Sequence, residues 1–256
     1  MRQRCGCGSR CREKRMEREL SYDLHIHSCL SPCGDDDMTP GNIVGMAAIK
    51  GLDVIAVTDH NSCRNCPAVL KLAEQYGVLA IPGMELTTAE EVHAVCLFSE
   101  LSAAMEFDRF VYGKLMKFPN REEIFGKQQI MNEEDICIGT EPNLLINSTE
   151  LSFDELWDIV TGQYGGVMIP AHIDKSSTSL LSNLGFVPPG SQFSCFELQR
   201  MENLHRVRRD NPYLEHCTVI CDSDAHYLEH IHEPEHTLLC AERTPEAVLA
   251  ALTSAP

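Results

Sequence analysis

Asp23-Leu24-His25-Ile26-His27-Ser28 is the stretch from which the rest of the chain can be read. Residues 22–26 have the pattern of a short strand, and in a strand residues i and i+2 point to the same face. His25 and His27 can therefore meet one ion at the strand's end. The arrangement recurs along the chain. Asp59 and His60 follow the apolar run 52–57, and Glu85 follows Ile81-Pro82-Gly83-Met84. His93 lies in the run 92–98, and His172 ends Val167-Met168-Ile169-Pro170-Ala171. Asp224 and His226 again stand at i and i+2, after Val219-Ile220-Cys221.

Helices separate these segments. Thr39 caps a helix over 40–50 that opens on Pro40 and stops at Gly51. Helices are also expected over 67–76, closed by Gly77, over 153–163, capped by Ser152, and over 245–252, opened by Thr244-Pro245. Strands are expected at 22–26, 52–57, 78–81, 92–98, 166–169, 193–198 and 218–221. Seven strands alternating with helices imply an α/β fold with a mainly parallel sheet or barrel. Residues 100–150 break the alternation with a helix over 103–115 and a hairpin over 128–138 that turns at 132–135, and they read as an insertion.

Composition narrows the class. The chain has 256 residues, 43% of them apolar and 23% charged, enough for one barrel-sized domain with an insertion. No apolar run approaches the roughly 18 residues that would span a bilayer, and no secretory signal is visible, so a soluble, cytoplasmic protein is expected. Residues 1–20 carry a local charge of +4 and read as a flexible Cys/Arg-rich tail containing Cys5, Cys7 and Cys11. The remainder, 21–256, carries −21 of the total −17, which argues against non-specific duplex binding. It does not argue against phosphorylated substrates, because bound cations invert the field inside a site. Thirteen cysteines without an export signal read as reduced thiols rather than a disulfide framework.

Six segments thus place a His or carboxylate at or near a strand end, where an α/β barrel gathers its active site. Burying so many ionisable groups without partners is too costly, and this mixture of nitrogen and oxygen donors suits Zn, Mn or Fe. About nine ligands make the centre polynuclear.

In the forms Asp-Leu-His-Ile-His-Ser (23–28), Thr-Asp-His-Asn (58–61), Gly-Met-Glu-Leu (83–86), Pro-Ala-His-Ile-Asp (170–174) and Asp-Ser-Asp-Ala-His (222–226), these segments resemble the ordered motifs of the PHP superfamily, named for polymerase and histidinol phosphatase. The resemblance covers residues 21–240. It implies a distorted seven-stranded β/α barrel with a trinuclear centre of divalent ions and hydrolysis of phosphate esters. The look is that of the branch containing nucleoside 3′,5′-bisphosphate phosphatases and 5′-to-3′ exonucleases. Carried over, it gives His25, His27, Glu85 and Asp224 to a first ion, with Glu85 bridging to a second held by His93 and His172. His60 and His226 would hold a third, and Asp59 would orient a ligating His. Asp224 or His226 would assist proton transfer beside the exposed ion.

One segment departs from the family. Its Ser-Asp-Gly is replaced by Ser31-Pro32-Cys33-Gly34-Asp35-Asp36-Asp37. Counted from His25, Cys33 takes the place of the third ion's remaining ligand; counted back from Thr39-Pro40, Asp35 does. The harder carboxylate suits a Mn- or Fe-containing centre, so Asp35 is the expected ligand. Cys29, Cys33, Cys63 and Cys66 could instead form a tetrathiolate site, or be packed thiols.

The expected activity is that of a metal-dependent phosphoesterase acting on a phosphorylated small molecule or single-stranded nucleic acid, with ions that polarise the phosphoryl oxygens and activate a water. Lys175, Arg64 and Arg200 are candidate phosphate contacts. The competing readings are a catalytically silent module that binds metal or nucleic acid, and metal-assisted hydrolysis of a non-phosphate substrate.

Overall fold

The computed structural model describes residues 17–254. The expected tail therefore lies almost wholly outside the described residues. The strands are β1 (Arg18–Ile26), β2 (Val54–Val57), β3 (Leu79–Thr87), β4 (His93–Leu97), β5 (Gln129–Met131), β6 (Cys137–Thr140), β7 (Val167–Pro170), β8 (Cys195–Glu197), β9 (Thr218–Ile220) and β10 (Thr237–Cys240). The helices are α1 (Pro40–Lys50), α2 (Cys66–Tyr76), α3 (Leu101–Lys114), α4 (Glu122–Phe125), α5 (Phe153–Trp157), α6 (Leu180–Asn183), α7 (Leu204–Asp210) and α8 (Pro245–Thr253). None of the helices described is long and apolar enough to cross a membrane.

Seven strands curl into a distorted, incompletely closed barrel. β1, β2 and β3 run parallel, β4 is antiparallel to both β3 and β7, and β8 and β9 form a separate parallel pair. The seams are thin. Ile173 N–H donates to the Glu197 carbonyl at 2.9 Å across one, and an isolated bridge between Ile26 and Ala225 closes the other. The sheet is thus more mixed than the alternation of elements predicts. A period-2 pattern reports burial and not strand direction.

Side-chain alternation sorts the sheet into two faces. Tyr22, Leu24, Val54, Ala56, Ile81, Val95, Leu97, Ile169, Cys195 and Ile220 share one buried cluster drawn from all seven strands, the barrel interior. Val248, Leu249 and Leu252 of α8 and Leu238 of β10 belong to the same cluster and plug one end of it. The opposite parity faces helices: Ile55, Val57 and Ala80 pack with residues of α1 and α2, and Met84, Leu86, Cys96 and Phe196 with residues of α3 and α5.

Several boundaries differ from the sequence reading. β1 begins at Arg18 because its first residues pair antiparallel with β10, a strand the sequence reading misses. The helix expected over 153–163 is α-helical only to Trp157 and continues as a π-helix over Asp158–Gln163. The insertion has the expected form: α3, then α4, then the β5–β6 hairpin, whose turn is held by the Asn132 carboxamide oxygen accepting from the Glu134 and Ile136 amides.

Gly83 marks a close approach of β3 to β4. A Cβ built there would lie 2.6 Å from the Cys96 carbonyl oxygen and 2.8 Å from a Leu97 methyl. Gly83→Ala should therefore destabilise the fold by about 1–3 kcal/mol, read as a lowered denaturation midpoint. Wild-type stability in that variant would show that β3 and β4 can separate freely.

Candidate metal centre

The side chains that meet at the open barrel end are aimed there by three devices. Plain alternation serves most of them: counting by twos from Val54–Ala56, Ile81, Val95–Leu97, Cys195 and Ile220 leads to His60, Glu85, His93, Glu197 and Asp224. β4 runs antiparallel to β3, so its first residue, His93, lies opposite Thr87, at the same end as Glu85. His25 and His27 have the wrong parity to follow Tyr22 and Leu24 inward. The register irregularity between Asp23 and Ile26 corrects this, turning Ile26 toward the α1 side and the two histidines toward the centre. His172 also follows an inward residue, Ala171, and turns inward through a left-handed backbone, φ 30°. Asp224 (φ 50°) and Asn61 (φ 48°), next to His60, take the same conformation. Such backbone strain at non-glycine residues clusters at functional sites.

Glu85, 1% exposed, is the hub. Its Oε1 lies 2.8 Å from His93 Nδ1, 3.1 Å from His172 Nε2 and 3.3 Å from His25 Nε2; its Oε2 lies 2.9 Å from His60 Nδ1 and 3.4 Å from His27 Nε2. Asp224 Oδ1 adds contacts of 3.3 Å to His27 Nε2 and 3.6 Å to His25 Nε2. Burial would raise the Glu85 carboxyl, but the imidazoles of His93, His25 and His60 and the His172 hydrogen bond hold it well below the usual range. Asp224 is likewise held low against burial, chiefly by His25 and His27. Burial opposes charge on His25, yet Glu197, Glu85 and Asp224 hold it well above its ordinary value; His27 is raised to about 9 against burial by Asp224 and Glu85. Burial pushes His60 down to about 3, and burial together with His27 pushes His226 down to about 4.

The hydrogen bonds behind these rings fix which nitrogens face inward. His25 Nδ1 donates to Glu197 Oε2 at 2.9 Å. Ser31 Oγ donates to Asp59 Oδ1 at 2.7 Å, so it accepts from His27 Nδ1 at 2.9 Å. His226 Nδ1 donates to the Asp224 carbonyl at 2.7 Å. Three Nε2 atoms are left for the centre. Those of His25 and His27 face each other at 3.2 Å, an arrangement that needs positive charge beside it. Donors that share one ion at about 2.0–2.2 Å stand about 2.9–3.5 Å apart, so the separations among His25, His27 and Glu85 and between His27 and Asp224 fit a bound cation. His60 Nδ1 and Glu85 Oε2 are buried without a hydrogen-bond partner despite their 2.9 Å approach, as metal-directed donors would be. Among the described residues, three groups bring one donor atom per residue within 4.8 Å of each other: His25, His27 and Asp224; His60, Glu85 and His93; and His27, Cys33, His60 and His226.

The placement of the expected residues is uneven. Asp35 is not in the cluster. Its Oδ1 accepts from the Asp37 amide at 2.9 Å, a local turn, and Cys33 stands in the ring instead, its Sγ 3.0 Å from His226 Nε2. Asp59 touches no imidazole directly: it accepts from Ser28 N, Ser28 Oγ and Ser31 Oγ, and reaches His27 only through Ser31. Burial raises its carboxyl despite those bonds. Lys175 sits at the edge, its Nζ 2.8 Å from Asp224 Oδ2. Arg64 instead pairs with Glu141, lies 3.8 Å from Asp108 and covers the Tyr112 ring at 4.6 Å, clamping the insertion to the barrel. Arg200 is exposed and pairs only loosely with Glu202, at 3.9 Å. No tetrathiolate site forms: Cys63 and Cys66 both direct their thiols to the Gly83 carbonyl, and Cys29 points at that of Gln129.

Glu197, bonded to His25 Nδ1, is a further candidate that the sequence reading did not single out. It ends β8, the same position as the other candidates, and the rule that found Glu85 would have found it.

The profile of the PHP domain family matches residues 23–184. A protein of Methanocaldococcus jannaschii is 38% identical over 79 residues, 28% of this chain and 46% of its own. A 5′-3′ exoribonuclease of Haemophilus influenzae is 33% identical over 79 residues, 30% of this chain and 28% of its own. The chain thus spans less than half the length of these curated relatives. In structure it is similar to a lesion-specific endonuclease of Pyrococcus furiosus, with TM-score 0.64 and 19% identity over 92% of this chain and 56% of the other.

Because Glu197 fixes His25 from behind, Glu197→Gln is expected to weaken metal binding by about 10- to 100-fold, measured by competition with a chelator. Unchanged affinity would show that His25 keeps its orientation without that bond.

Proposed function

The chain belongs to the PHP domain family, and from that premise we infer that it hydrolyses a phosphate ester of a nucleotide or single-stranded oligonucleotide at a centre of three divalent ions. The observation that carries this reading is Glu85 inside its ring of five imidazoles. In this reading His25, His27, Asp224 and Glu85 would hold the first ion, Glu85 with His93 and His172 a second, and His60 and His226 a third. Nitrogen and carboxylate donors suit Mn, Fe or Zn at the first two positions. Bound ions supply polarisation of the phosphoryl oxygens and a water acidic enough to react at neutral pH.

The chain's own groups do the rest. Lys175 lies at the lip of the centre, with about a third of its side chain exposed. Its ammonium, paired with Asp224 Oδ2 while Oδ1 faces the imidazoles, would meet a substrate phosphate at the lip of the centre. His226 is committed on both nitrogens, Nδ1 to the Asp224 carbonyl and Nε2 toward the third position, so its role in this reading is that of a ligand. Asp59, through Ser31, keeps His27 in one tautomer and is a positioning residue. The exoribonuclease relative supports a nucleotide substrate, and the acidic body of the chain favours a short or single-stranded one over duplex.

The test is turnover of an aryl phosphate, nucleoside 3′,5′-bisphosphates and a 5′-phosphorylated oligonucleotide, with added Mn²⁺ and after chelation. Glu85→Gln should lose more than one metal equivalent and nearly all turnover while keeping its fold by circular dichroism. Absence of chelator-sensitive turnover of any phosphoester contradicts the activity. Full metal content in Glu85→Gln contradicts the bridge.

A further inference from the structure

Cys33 is the donor that the family motifs do not supply, and the loop that carries it is built to bring it to the centre. The Gly34 amide donates to the Ser31 carbonyl at 3.0 Å, and a Cβ at Gly34 would lie 2.2 Å from the Ser28 carbonyl oxygen, so the turn closes tightly only with glycine. The next residue, Asp35, donates its amide to the His226 carbonyl at 3.0 Å. These two bonds lay the Cys33 sulfur against His226 Nε2.

We propose that the outermost ion is held by the Cys33 thiolate together with His60 and His226, a sulfur-containing site that selects a thiophilic ion such as Zn²⁺ and keeps one coordination position open. This rests on the polynuclear reading above and deepens it. His27, the fourth member of the group, is assigned elsewhere. Its Nδ1 is committed to Ser31, and its one remaining nitrogen stands among His25, Glu85 and Asp224. His226 has likewise committed Nδ1, to the Asp224 carbonyl, so the nitrogen facing Cys33 carries a lone pair. His60 Nδ1 is buried without a hydrogen-bond partner beside Glu85 Oε2, and His60 brings a donor atom within 4.8 Å of those of Cys33 and His226. In a tetrahedral site, sulfur at about 2.3 Å and nitrogen at about 2.0–2.1 Å from one ion stand about 3.5 Å apart, so the pair, now 3.0 Å apart, need open by only about half an ångström to share one. On binding, the S–H bond breaks, a sulfur–metal bond forms and the proton leaves to solvent. Two imidazoles, a thiolate and an open position make a zinc site of the catalytic type, unlike a closed structural one. The soft ligand also separates the third position chemically from the harder first two.

Among the described residues only Cys33 and Cys137 are exposed cysteines, so Cys137 is an internal control. The full chain, stripped by chelation, is alkylated with iodoacetamide with and without added Zn²⁺, and both sites are followed by peptide mass spectrometry. Zn²⁺ should slow alkylation of Cys33 by about tenfold or more and leave Cys137 unchanged. With Co²⁺ in place of Zn²⁺, a near-ultraviolet sulfur-to-cobalt charge-transfer band should appear in the wild type and in Asp35→Ala and be lost in Cys33→Ser. Metal binding with Cys33 still freely alkylated, or a band that survives in Cys33→Ser, overturns the thiolate site and leaves the polynuclear centre standing. A wild-type chain that takes up no metal overturns both.

Discussion

A carboxylate at 1% exposure stays ionised only if positive charge is brought to it. Glu85 gathers five imidazoles for that purpose, and each comes from a different segment of the chain or a different position on it. Five neutral imidazoles and two carboxylates are not by themselves a stable buried set. Against burial, Glu197, Glu85 and Asp224 raise His25, and Asp224 and Glu85 raise His27, so the carboxylates of the cluster call for positive charge at its middle. The strand ends, the bulge in β1 and the left-handed residues after β7 and β9 all serve to bring these donors to one place. The barrel below them, filled by Leu24, Ala56, Ile81 and Ile169 and plugged by α8, is the rigid base on which they converge.

That base was legible where its cause is periodic. The Thr39 cap, Pro40 and Gly51 mark α1 at its true limits, and the apolar runs at 54–57, 93–97 and 167–170 mark buried strands. Strand direction was not legible, because β4 has the same apolar pattern whichever way it runs. β10 was missed because Thr237 and Leu239 are exposed, so the strand has only two buried positions. The π-helical turn after Trp157 has no signature in the residues there.

The candidate site was legible by residue type and only partly by position. Nearly every His and carboxylate at a strand end reached the centre, because ionisable side chains on otherwise apolar strands must find partners. The alternation argument would nonetheless have pointed His25, His27 and His172 outward. A β-bulge and a left-handed residue redirect them, and neither can be read from local sequence. Asp35, the expected ligand, lies outside the cluster for a related reason. Ligand hardness favoured it, whereas the loop's geometry, set by Gly34 and the bond from the Asp35 amide to the His226 carbonyl, brings the Cys33 sulfur beside the imidazoles. Arg64 was misplaced because a lone arginine in sequence does not reveal its partner; here it ties Glu141 of the insertion to the barrel.

The exposed cysteine and the buried ones show how one residue type divides between roles. Cys63 and Cys66 both donate to the Gly83 carbonyl inside the core, as packed thiols do. Cys33 sits at the rim of a cluster of imidazoles.

The central claim is that divalent cations, and not protons alone, occupy the space around Glu85. Crystals of the full chain grown with Mn²⁺ and Zn²⁺, with anomalous data collected on both sides of each metal's absorption edge, test it most directly. The account predicts anomalous peaks within about 2.0–2.3 Å of donor atoms on His25, His27 and Asp224, on both oxygens of Glu85, and on His93 and His226. A map without anomalous density there, with the imidazoles hydrogen-bonded to Glu85 as protonated pairs, would contradict it.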